Sequence, residues 1–191
     1  MSSVIDQLHQ EHTNVTQLLN LLEREINAIR GGKPNYEIMQ DIMHYMTHHP
    51  DLFHHPKEDL VFQHLIQRDR NIRDVLEQLL DQHRDLVNTG REFLEALSRI
   101  DSNIAEHEAD IVESGRRYIG DLRRHMDIEE GKIFPLARLM LTERDWAAID
   151  EEMGQFEDPL FGRAIGDEYR RLFELIVTPE NDTNNAATPA V

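Results

Sequence analysis

The chain has 191 residues, 39% of them apolar and 30% charged, which is enough for one compact domain with its own core and short for two. Its 37 acidic against 20 basic side chains give a formal charge of −17, which repels phosphate backbones and anionic head groups and excludes nucleic acid and membrane surfaces as main partners. There is no cysteine, so disulfides, thiolate zinc sites, iron–sulfur clusters and a cysteine nucleophile are excluded, and any transition metal must be held by nitrogen and oxygen.

The N-terminus, MSSVIDQLHQEH, turns polar and acidic at once, so no secretory signal is expected, and the expected location is the cytoplasm. No apolar run is long enough to span a bilayer. The first predicted helix opens on Ser3-x-x-Asp6, which resembles a capping box, and places Ile5, Leu8, His12, Val15, Leu19, Leu22, Ile26 and Ile29 at alternating spacings of three and four. Gly31, Gly32 and Pro34 end it. A second begins near Asn35 with Ile38, Ile42, Met46 and His49, meets Pro50 and Pro56, and resumes through Glu58, Val61 and Leu65. This pattern predicts one kinked or broken helix.

A third helix, with Asn71 as its expected N-cap, carries Ile72, Leu76, Leu79, His83, Leu86, Gly90, Phe93, Leu97 and Ile100 in its seam. The fourth follows a polar stretch at 101–103 and carries Ile111, Gly115, Tyr118, Leu122, His125, Glu129, Ile133, Leu136 and Met140. Thr142-x-x-Asp145 starts a short helix with Trp146 and Ile149, GQFEDPLFG at 154–162 reads as a loop, and 163–177 as a last helix. With no strand alternation and only short connections, the fold class expected is all-α: an up-down-up-down antiparallel four-helix bundle over 1–141. A helical extension at 142–178 packs on it, and 179–191 is a disordered tail.

Each long seam holds polar residues where apolar ones belong. His12 lies roughly 12 Å along its helix and His83 roughly 17 Å along the third, while the 54–58 and 125–129 pairs lie about 15 to 22 Å from the same end of the bundle. A histidine and a glutamate four apart share one helical face, so His54-x-x-x-Glu58 and His125-x-x-x-Glu129 can present imidazole and carboxylate to one centre. Four histidines and two glutamates then converge in a dry interior, a costly arrangement without cations. Imidazole with carboxylate suits iron, manganese or zinc, and two carboxylates able to bridge favour a dinuclear centre, for which iron is chosen. Ferritin-like sites use Glu-x-x-His, and no histidine here has a glutamate three residues upstream.

HHPDLFHHPKED at 48–59 leaves a choice between His54 and His55, since His55 is three residues from Glu58 and four from Asp59. The spacing repeated at His125 and Glu129 favours His54. His48, His49 and His55 then read as support for the corner, Asp59 and Glu130 as solvent-facing or locally paired, and His9, His44, His64 and His107 as surface residues. Tyr45 and Tyr118 read as packing aromatics.

The QEH at 10–12, HHPKED at 54–59 and HMDIEEGKIFP at 125–135 together resemble the hemerythrin-like HHE cation-binding family, over about residues 4–140. The DPLFG at 158–162 is similar to a segment of some of its members. The resemblance implies a non-haem di-iron centre with His12, His54, Glu58, His83, His125 and Glu129 as metal ligands. It also implies a role in oxygen carriage, in oxygen or iron sensing, or in protection of iron centres under stress. Oxygen-carrying members have a second histidine one turn from the third-helix ligand, where this chain has Leu79 and Val87. The open position this leaves favours reaction with dioxygen, nitric oxide or peroxide over reversible carriage. Repair members carry a cysteine-bearing N-terminal segment, which this chain lacks. The expected partner is therefore a small diatomic or peroxide. An oxidase- or peroxidase-type enzyme, or a bundle stapled by a structural metal, stand as alternatives.

Overall fold

The computed structural model describes residues 4–99, 104–153 and 157–177, and among these the chain is all-helical, without strands. Ser3, the polar stretch at 101–103, the start of the GQFEDPLFG loop at 154–156 and the tail lie outside the described residues. Helix α1 runs Val4–Ala28 and tightens into a 3₁₀ turn at Ile29–Gly31. Gly32 ends it in the left-handed region at φ 73°, with its N–H on the Ile29 carbonyl at 3.0 Å. Helix α2 (Tyr36–His49) begins at Asn35, whose side-chain oxygen accepts from the Ile38 N–H at 3.1 Å.

The expected kink takes a specific form. A π turn at Pro50–His54 joins α2 to α3 (His55–Arg68). Helix α4 (Arg73–Ser98) follows a 3₁₀ turn at Arg70–Ile72, and the side-chain cap belongs to that turn and is Asp69 rather than Asn71. The Asp69 carboxylate accepts from the Asn71 N–H at 2.9 Å, so Asn71 serves as donor. Helix α5 (Ile104–Ile128) runs through a second π turn, Glu129–Ile133, into α6 (Phe134–Met140). The sequence pattern does not foretell this second turn. Both π turns end two residues before a proline, Pro56 and Pro135. A proline ring has no N–H and clashes with the carbonyl four residues back, and a locally widened helix accommodates it.

Helices α1, α2, α4 and α5 are neighbours in a closed order, α1 beside α2, α2 beside α4, α4 beside α5 and α5 beside α1, with α3 against α4. Their apolar faces form two separate cores. One holds Leu19, Ile26, Met39, Met43, Phe93 and Ile111, the other Leu8, Phe62, Leu65, Leu76, Ile133 and Phe134. Along α1 the boundary falls between Leu8 and Val15, and along α4 between Leu79 and Leu86, so His12 and His83 lie between the cores.

Helix α7 (Glu143–Met153) is capped reciprocally, the Thr142 N–H on the Asp145 carboxylate at 2.7 Å and the Asp145 N–H on the Thr142 hydroxyl at 3.4 Å. It packs on α3 through Ile149. The last helix is shorter than expected: a 3₁₀ turn at Asp167–Tyr169 leads into α8 (Arg170–Val177), which meets α1 and α2. The preceding loop is pinned by Asp158, which accepts the N–H groups of Leu160 and Phe161 at 2.8 and 2.9 Å and the Tyr45 hydroxyl at 2.8 Å. Among the described residues no helix is long and apolar enough to cross a membrane.

Close approach of α5 to α1 and α4 depends on Gly115, where an added Cβ would lie 2.6 Å from Ile26 and 2.8 Å from Phe93. Gly115→Ala is expected to destabilise the fold by about 1–3 kcal/mol through overpacking, read from the urea midpoint. Gly131→Ala, with nothing within 4 Å, leaves that midpoint unchanged or raises it.

Candidate metal centre

The six sequence-predicted residues meet in the layer between the two cores. His12 comes from α1, His54 closes the first π turn, Glu58 follows on α3, His83 lies on α4, His125 on α5, and Glu129 opens the second π turn. All six are buried, Glu58 and Glu129 at 0% exposure. Glu58 Oε1 lies 3.1 Å from His54 Nε2 and 3.3 Å from His12 Nε2, and its Oε2 lies 3.3 Å from His83 Nε2. Glu129 Oε1 is 3.2 Å from His125 Nε2 and 3.8 Å from His83 Nε2, and its Oε2 is 3.5 Å from His12 Nε2. Ligand atoms of His12, His54 and Glu58 fall within 4.8 Å of one another, and so do those of His55, Glu58, His83 and His125. Two donor groups thus share Glu58.

The outer ring nitrogens fix which way the imidazoles face. His54 Nδ1 lies 2.7 Å from Glu11 Oε2, His83 Nδ1 3.0 Å from Asp59 Oδ1, His125 Nδ1 3.0 Å from Gln82 Oε1, and His12 Nδ1 2.9 Å from Glu130 Oε1. An ionised carboxylate or an amide oxygen only accepts, so each Nδ1 carries the proton and each Nε2 of a neutral ring turns a lone pair inward. These four bonds close a circuit. Glu11 precedes His12 and holds His54, Asp59 follows Glu58 and holds His83, Gln82 precedes His83 and holds His125, and Glu130 follows Glu129 and holds His12.

That inward-facing set is incomplete without a cation. Both oxygens of Glu58, both of Glu129, and the Nε2 atoms of His83 and His125 have no hydrogen-bond partner among the described residues, although each is buried and close to a group of complementary chemistry. Leaving such atoms unmatched costs several kcal/mol. The Nε2 atoms of His12 and His54 face each other at 3.1 Å, a repulsive approach of lone pairs unless a proton or a metal lies between. Nitrogen and oxygen donors without sulfur fit iron, manganese or zinc.

In the metal-free protein protons must do this work. Burial works against charge on His54, but Glu58 and Glu11 outweigh it and push its pKa up to about 10. Burial likewise opposes charge on His83, and Asp59, Glu129 and Glu58 push it up to about 11. Burial raises the Glu58 and Glu129 carboxyls, yet the surrounding imidazoles hold both below the usual range. The raised histidines contribute stability that is fully present below their unfolded value near 6.5 and is gone once the pH has risen through about 10 to 11. The lowered carboxylates contribute stability present above about 4.5 and lost as the pH falls through their folded values. The melting temperature of metal-free protein is therefore expected to peak between about pH 4.5 and 6.5 and to fall toward pH 11. Metal binding at neutral pH is expected to release protons, seen as a dependence of calorimetric heat on buffer ionisation enthalpy.

By spacing His54 and His55 are alternatives, whereas the folded chain brings both to the centre, one in each donor group. Asp59 and Glu130 are expected at the surface or in local pairs. They are partly exposed but bond to His83 and His12 on other helices. For Glu11 and Gln82 the only signal in the sequence is adjacency to His12 and His83. His48, exposed, bonds the His44 carbonyl, and His49 faces Asp158 at 3.4 Å, both away from the metal-facing layer. His9 and His44 are exposed, while His64 and His107 are half-buried rather than at the surface, His64 facing Asp145 at 3.5 Å. Tyr45 is engaged by Asp158, and Tyr118 lines a cavity beside the histidines.

No curated protein matches the chain. A family model, that of the hemerythrin HHE cation binding domain, matches residues 3–137. That span contains every donor described above, and the chain belongs to the hemerythrin HHE cation-binding family.

Proposed function

We propose that this is a non-haem di-iron protein built on an up-down-up-down four-helix bundle, which binds or reacts with dioxygen, nitric oxide or peroxide in a stress, sensing or iron-handling role in the cytoplasm. In this reading His12, His54, Glu58, His83, His125 and Glu129 would hold the metal, and Glu58, common to both donor groups, would serve both positions. The observation that carries it is the pair of His/Glu donor groups sharing the fully buried Glu58. Charge supports two ions rather than one. With the histidines neutral, the carboxylates paired with or lying among them, Glu11, Glu58, Asp59, Glu129 and Glu130, carry five negative charges, and Lys57, paired with Glu11, offsets one. Four negative charges remain, the charge of two divalent cations. Manganese and zinc share the donor preference; iron adds the redox change that chemistry with a small oxidant or diatomic needs.

The chain's own residues would shape that chemistry by holding and by excluding. The four Nδ1–H bonds keep each imidazole in one tautomer and orientation. Beside the histidines, Leu86, Leu122, Tyr118 and Met126 wall a cavity that leaves about 20 Å³ for the centre of a water-sized molecule to move in, room for about one such molecule. A partner of two or three atoms fits this space. Nucleic acid and membrane surfaces remain outside this reading because of the −17 charge.

Protein loaded anaerobically with iron(II) is expected to hold two iron ions per chain. Exposure to dioxygen, nitric oxide and peroxide in turn is expected to give distinct absorption bands with at least one of them. Metal content well under two sinks the dinuclear reading, and a spectrum indifferent to all three leaves the metal as a structural staple. Repeated consumption of peroxide would make the protein an enzyme. Replacing His125 and Glu129 together by alanine is expected to empty at least one position, and unchanged metal content would overturn the ligand set.

A further inference from the structure

We infer that His55 is a seventh metal ligand, completing the donor group that contains His83 and His125. The inference rests on the two-cation reading above and concerns how one of the two positions is filled. Helix α4 offers that group a single imidazole, because the turns on either side of His83 carry Leu79, buried in the apolar core, and Val87. The missing nitrogen can come from α3. Glu58 is four residues beyond His54 and three beyond His55, and both spacings bring side chains together on a helix surface. Consecutive helical residues diverge by about 100°, so the two imidazoles cannot address one point. They can address two points on either side of the shared carboxylate.

The side-chain positions agree. The ring of His55 lies 4.2 Å from that of His83 at an interplanar angle of 15°, and 6.3 Å from that of His125 at 88°. Its ligand nitrogen falls within 4.8 Å of the ligand atoms of Glu58, His83 and His125. The π turn that ends at His54 sets this placement, since His55 is the first residue of the regular helix that follows. His55 also lines the small cavity beside the centre, and so stands between the cavity and the second position. The competing explanation is that His55 only stacks on His83.

The test uses zinc as a diamagnetic probe on chelator-stripped full-length protein. In long-range ¹H–¹⁵N spectra of the zinc-loaded chain, five imidazoles, those of His12, His54, His55, His83 and His125, are expected to show metal-shifted nitrogens. Four shifted rings, with His55 unchanged, overturn the inference. His55→Phe keeps an aromatic ring against His83 but removes the nitrogen, and its zinc content is expected to fall from two to one per chain, while His48→Ala retains two. Imidazole added to His55→Ala is expected to restore the second zinc. Two zinc ions bound by His55→Phe with unchanged affinity make the contact a stack only and overturn the ligand role. Fewer than two zinc ions in the unsubstituted chain overturn the two-cation reading itself, and this inference with it.

Discussion

Two carboxylates, Glu58 and Glu129, lie at the centre of this protein with no exposed surface and no hydrogen bond among the described residues. An isolated buried carboxylate is too costly for a domain whose net stability is on the order of 10 kcal/mol. Positive charge must therefore be present in the same layer, as protons on His54 and His83 or as metal. This one requirement organises the molecule. It splits the apolar interior into two cores, and it explains why each long seam is interrupted at the same depth.

The second consequence is the closed circuit of hydrogen bonds around the layer. A residue next to a donor in sequence points about 100° away around the helix, and at four positions this directs it at an imidazole of the adjoining helix rather than at the centre. Glu11, Asp59, Gln82 and Glu130 all use this geometry, each beside a residue of its own helix segment that faces the centre and each clamping an imidazole from the next. Displacing one segment would disturb a donor on it and the orientation of a donor on its neighbour. The circuit is uneven, because three of its acceptors are carboxylates and Gln82 is an amide. His125 is held in its tautomer without an added negative charge.

The C-terminal segment attaches just upstream of the first π turn. The Tyr45 hydroxyl donates to Asp158, His49 lies close to the same carboxylate, and Phe161 and Tyr169 pack edge-on against the Tyr45 ring. Burial, and then the Asp158 charge, push the Tyr45 hydroxyl pKa well above its ordinary value, so this phenol stays protonated and remains a donor to the loop. The DPLFG loop thereby braces the end of α2 from which the chain enters the turn carrying His54.

Much of this was legible in the linear sequence because helical periodicity is a local property. The seams through Leu8, His12 and Val15, and through Leu79, His83 and Leu86, identify both the helices and the places where a polar residue must be buried. The i, i+4 repeats at His54–Glu58 and His125–Glu129 identify two of the faces that meet. Absence of cysteine and the acidic charge narrow the chemistry before any fold is known. What periodicity cannot carry is the relation between helices. Whether Asp59 and Glu130 face water or a neighbouring imidazole depends on helix rotation and spacing, and so does the use of Glu11 and Gln82. The choice posed by His54 and His55 dissolves only in three dimensions. Pro50 and Pro56 signal a disturbance in sequence, but only the packed helices turn it into a π turn that sets two successive histidines on either side of one carboxylate.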